Sequence, residues 1–148
     1  MSLIRKIFDA ELARKDTQKG PNTIKGSALI RQQGGGVVTC AGQTVTAIPA
    51  TAYADERIWA IYGSYNKGYR PNHLGNIQFE NEPLEFRQFT LGTTCDAQGY
   101  FKFENVADAS FYIVTNITWQ AGNSQQGGRL MQKTNVWKGE LKEIVITP

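Results

Sequence analysis

The sequence predicts a mostly β protein, an antiparallel sandwich with one α-helix inserted at about 52–66, and three observations carry that prediction. Phe101 and Phe103 alternate with Lys102 and Glu104, giving one ring-bearing face and one wet face at a period of two. Just before them, Asp96-Ala97-Gln98-Gly99 is a reversal: the acid can bond the backbone of its own turn and the glycine supplies a positive φ. Residues 111–119, Phe-Tyr-Ile-Val-Thr-Asn-Ile-Thr-Trp, are nearly all β-formers, with Phe111, Ile113 and Thr115 alternating against Tyr112 and Val114.

Composition fits one ordered domain. A chain of 148 residues can bury roughly two thirds of its unfolded surface. The apolar share of 41%, with 7 Phe and 6 Tyr against 20% charged residues, separates it from disordered chains. The net charge of +3 comes from 16 basic and 13 acidic residues scattered without a run. Nucleic acid is therefore not expected as a partner, because the basic stripe with interleaved aromatics is missing, and Arg129, Lys133, Lys138 and Lys142 read as a solvated face. No apolar run approaches the roughly 18 residues of a membrane-spanning helix. Met1-Ser2-Leu3 fits a start from which a signal segment has been removed.

The elements follow in order. Ile4, Ile7, Phe8 and Leu12 allow a short amphipathic helix over 3–14, or an extended arm using the same side chains, and the polar run 15–22 reads as a linker. Residues 1–22 thus form an arm and 23–148 the domain. Ile24, Ala28 and Ile30 share one face of a first strand, with Gly26 marking a bulge or a close backbone approach. Gly34-Gly35-Gly36 ends it as a connection; a phosphate cradle would need a following helix and a Lys-Ser/Thr pair. Strands over 37–41 and 43–49 stop at Pro49. Thr51 can cap a helix whose apolar positions are Ala54, Ile58, Ile61, Tyr62 and Tyr65, with Gly68 as the stop. Residues 69–83 read as a long surface loop, and Phe86, Phe89 and Leu91 as a short strand toward Cys95. After 111–119 come the turn 120–128, a strand from Leu130 to Trp137, and a closing strand from Leu141 to Thr147. Asn116-Ile117-Thr118 fits a glycosylation sequon, but inside a strand it reads as chance.

The pattern Asp96-x-x-Gly99-x-Phe101-x-Phe103-x-x-Val106-x-x-Ala109-x-Phe111-x-Ile113 resembles the hairpin of carboxypeptidase regulatory-like domains, which are transthyretin-like, Ig-like β-sandwiches. The likeness extends over 23–49 and 92–147 and leaves 50–91 as an insertion. It implies a non-catalytic binding or assembly module of a bacterial envelope, periplasmic, outer-membrane-associated or secreted. In such a setting Cys40 and Cys95, each at the edge of a strand, would form a disulfide stabilising by about 4 kcal/mol in the chain-entropy model. Two buried thiols are the alternative.

Chemistry-bearing residues are few. His73 is the only histidine, so no triad with a nucleophile elbow and no metal site can be assembled, and no cofactor is expected. Two enzyme families with the sandwich fold, the hydroxyisourate hydrolases and the intradiol dioxygenases, need several histidines or a two-histidine iron site. Glu80, Glu82 and Glu85 lack calcium-loop spacing and read as a solvated acidic loop. What remains is recognition of a protein or glycan through 53–91, with Trp59, Tyr62, Tyr65, Tyr69 and Arg70 as the candidate binding residues and a Trp/Tyr carbohydrate platform as the second reading.

Overall fold

The computed structural model describes residues 2–148. Among the described residues nine strands form two sheets. One contains β1 (Lys19–Arg31), β2 (Val37–Thr39), β6 (Tyr100–Val106) and β9 (Leu141–Ile146), and the other runs in the order β4 (Lys67–Pro71), β8 (Ser124–Val136), β7 (Ala109–Ala121), β3 (Thr44–Pro49), β5 (Leu91–Thr94). Every pairing is antiparallel except β9 on β1, which is parallel over Thr23–Ala28 and Leu141–Ile146. The mostly β sandwich read from the sequence is the fold.

Alternation builds the interior. Ile24, Ala28 and Ile30 of β1, Phe101 and Phe103 of β6, and Ile144 and Ile146 of β9 face Val45, Ala47, Phe111, Ile113, Ile117 and Leu130 of the second sheet. Outside, Lys102 pairs with Glu104 and Lys25 with Glu143. Gly26 is required by a close approach, since a Cβ there would lie 2.2 Å from the Ile144 carbonyl oxygen. The Cys40–Cys95 disulfide is formed, with S–S 2.05 Å and Cα–Cα 5.8 Å, and belongs to this interior. It staples β6's turn to the segment after β2. In that turn the Asp96 carboxylate accepts from the amides of Gln98 and Tyr100, and Gly99 sits at φ 87°.

Several local expectations are corrected. The first helix, α1, spans Ala10–Asp16 and is capped by Asp9, while Ile4 and Phe8 reach the core from the chain ahead of it and Ile7 is exposed. The run read as a linker already pairs within β1 from Lys19. There Asn22 is fully buried: its amide donates to Val106 O and Asp108 Oδ1, and its oxygen accepts from Gly139 and Glu140. Such a side chain survives burial because each polar atom is satisfied.

The inserted helix α2 is Ala52–Tyr62, capped by Thr51 as expected; it stops at Gly63, whose left-handed φ of 66° ends the ladder five residues before Gly68. Part of the loop read over 69–83 is strand β4 and a 3-10 turn over Asn72–Leu74, and Phe86 lies on a short helix, α3 (Leu84–Gln88), where a strand was expected. Helix α2 lies on the outer face of the larger sheet. Tyr53, Ala54, Ile58 and Phe86 form a second core with Tyr112 and Met131, joined by Ile4, Phe8 and Ile48. Strand β7 is therefore buried on both faces over 111–113.

Candidate functional site

The site is the part of that outer face that α2 leaves uncovered. Pairing places Arg70 of β4 opposite Arg129 of β8, and Arg129 opposite Asn116 of β7, so the three share the outer face in one row. One turn of the pleat away, Met131 and Val114 lie opposite each other beneath the helix. Beneath the helix the rows present Ile48, Tyr112, Val114 and Met131 to it, while the uncovered row presents Arg70, Asn116 and Arg129.

Two recesses share Asn116 and Arg129. A groove of about 460 Å³ lies between the sheet and α2, with Ile58, Ile61 and Tyr62 on the helix side, Thr44 and Thr46 on the sheet, and Arg87 and Thr90 beyond. A polar recess of about 350 Å³ adjoins it, lined by Asn72, Asn76, Thr118 and Gln125. Asn116 Oδ1 and Asn72 Nδ2 are both buried and have no hydrogen-bond partner among the described residues. An unsatisfied buried polar atom costs about 1–3 kcal/mol, and here one acceptor and one donor are left unsatisfied on two residues that line the same recess.

The candidate residues read from the sequence divide among separate places. Tyr62 is a wall of the groove; burial pushes its phenol up to about 12, against the opposing pull of Arg129 and Arg70. Arg70 spends its guanidinium on structure, donating to the carbonyls of Gly75, Leu74 and Ile61, and so ties the 3-10 turn to the end of α2. Tyr69, next to it on the strand, turns the other way and lines a recess at the sandwich end with Trp119 and His73. Trp59 and Tyr65 stack on each other, with centroids 5.1 Å apart and both rings exposed, and neither lines the groove.

The acidic loop is more committed than a solvated loop would be. Glu82 bridges Arg57 and Arg87 at 2.8 and 2.9 Å, and the Arg57 guanidinium lies 4.1 Å and 4.4 Å from the ring centroids of Phe79 and Phe86. This clamp holds α3 and its loop beside the groove. The sequence reading missed Asn72, Asn116 and Arg129. A signal was present at Asn116 and Thr118, polar residues alternating with Ile117 and Trp119 in a strand buried on both faces over 111–113.

No family model matches the sequence, and no curated protein matches it. The fold is similar to the crystal structure of a "putative carbohydrate binding protein" from Pseudomonas aeruginosa, with TM-score 0.78 and 19% sequence identity, covering 95% of this chain and 97% of that one. At that identity the likeness concerns the fold.

Proposed function

We propose that the protein is a non-catalytic carbohydrate-binding module whose site is the groove and recess around Asn116 and Arg129. The observation that carries this reading is the pair of orphaned amide atoms, Asn116 Oδ1 and Asn72 Nδ2, in one recess. A sugar hydroxyl is donor and acceptor at once and complements both. The amide-rich lining and the Tyr62 wall add the polar and apolar partners that a ring with hydroxyl edges needs. The fold neighbour, named as a binding protein, supports the same direction. We also read the sandwich as carboxypeptidase regulatory-like on its Asp96–Ile113 hairpin, and residues 50–91 as the insertion that supplies one wall of the site. The disulfide supports an oxidising compartment, hence an envelope or secreted setting; among the described residues no helix is long and apolar enough to cross a membrane.

A protein partner is the second reading, favoured by the exposed Trp59–Tyr65 stack on α2. The test is titration of the full chain with a panel of oligosaccharides, followed by amide chemical shifts. Shifts are expected at Asn72, Asn116 and Arg129, with Asn116→Ala weakening binding and Trp59→Ala leaving it unchanged. Loss of binding in Trp59→Ala alone would move the site to the stack, and no binding by any oligosaccharide would reject the reading.

A further inference from the structure

We infer that the groove takes an acidic saccharide, with the sugar's carboxylate held by the Arg129 guanidinium; this rests on the carbohydrate-binding reading above and names the ligand class within it. The argument begins with what is absent around Arg129. No aspartate or glutamate lines either the groove or the adjoining recess, and among the described residues no carboxylate pairs with Arg129. The other arginines nearby are occupied. Arg57 and Arg87 share Glu82, and Arg70 is bonded to three backbone carbonyls, which fix its position but do not neutralise its charge.

The sheet register makes this more than an idle surface cation. Arg70 and Arg129 are direct partners on adjacent strands, and like charges placed opposite one another oppose pairing. Of the two acids of α2, Asp55 accepts from the Tyr112 hydroxyl and Glu56 accepts from the Arg5 and Lys6 amides, and neither acid lines the groove. Arg129 therefore lines, without a counter-charge and with the Arg70 strand position directly opposite, a recess whose remaining side chains are amides and a hydroxyl. A planar guanidinium matches a carboxylate in bidentate geometry, while the amides beside it serve the hydroxyls of the same ring. A neutral sugar would leave the charge uncompensated. An inorganic anion without an O–H, such as sulfate, would leave Asn116 Oδ1, an acceptor, without a donor.

The experiment is calorimetric titration of the full chain with short uronate oligomers of galacto, gluco and manno configuration, each beside its methyl ester, which keeps the hydroxyls and removes the charge. At least one uronate is expected to bind about tenfold or more tighter than its ester, the worth of one charge-assisted contact. Salt should narrow that gap as screening increases. Arg129→Gln should bring acid and ester to the same affinity, and Arg129→Lys, which keeps the charge without the fork, should retain part of the preference. Should Arg129→Gln unfold, Asn116→Asp supplies a carboxylate opposite Arg129 and is expected to abolish the preference in a folded protein. Equal affinity for acid and ester, a preference that survives Arg129→Gln, or inorganic phosphate competing as well as the uronate would each overturn the inference while leaving carbohydrate binding standing. Absence of binding by all acids and all esters would overturn both.

Discussion

The two outer faces of the sandwich are made from the same kind of strand and have opposite fates. On the four-stranded sheet, Tyr100, Lys102, Leu141 and Val145 are open to water, and the charges there are paired locally as Lys102–Glu104 and Lys25–Glu143. On the five-stranded sheet, Tyr112 and Met131 are fully buried under α2, and in the row beyond the helix, among the described residues, Asn116 Oδ1 has no hydrogen-bond partner and Arg129 no carboxylate. An alternating strand by itself yields one buried face. A helix laid over part of the second face creates a second core and, at its edge, a groove with polar groups that nothing else satisfies. Partial cover distinguishes a face with a polar groove from a merely solvated one.

The largest effect should come from the covered face. Met131→Ala is expected to cost about 2–5 kcal/mol, the range for emptying a buried methionine site, measured by urea denaturation. A cost under about 1 kcal/mol would mean that α2 rests on the sheet without packing into it. An intermediate effect concerns Tyr62, at the border of covered and open ground. Its folded-state value lies above the ordinary tyrosine value of 10.0, near 12, so the stability tied to its neutral ring is complete below about pH 10 and is lost as pH rises toward 12. Thermal unfolding at stepped alkaline pH should fall less steeply for Tyr62→Phe than for the parent, and equal slopes would show the wall of the groove to be wet. The smallest effect belongs to the bare face: Tyr100→Ala should change stability by less than about 0.5 kcal/mol. A change several times larger would show that this face, too, is covered in solution.

Local features were the legible ones. The Asp96–Gly99 turn, the Thr51 cap, the Phe101/Phe103 alternation and the helix start at Ala52 depend on residues within a few positions of each other, and the structure has them where the sequence put them. Gly26 announced a close approach without naming its partner, Ile144. Asn22 was read as linker because a buried asparagine looks in sequence like a turn-former; its four partners lie 84 to 118 residues away. The candidate site suffered in the same way. Aromatic content pointed to Trp59 and Tyr65, whose rings satisfy each other, while the row made by Arg70, Asn116 and Arg129 exists only once β4, β7 and β8 are in register.

By itself the sequence determined the sandwich, the strand faces, the disulfide's candidate partners and the presence of one capped helix, because period, turn chemistry and capping act over a single turn or pleat. Only the tertiary structure decided where α2 lands, that β9 runs parallel to β1, and which polar side chains are left at the helix's edge. Those outcomes depend on which distant faces bury each other and on whether a counter-charge or hydrogen-bond partner arrives with them, and no short window of sequence contains both sides of such a contact.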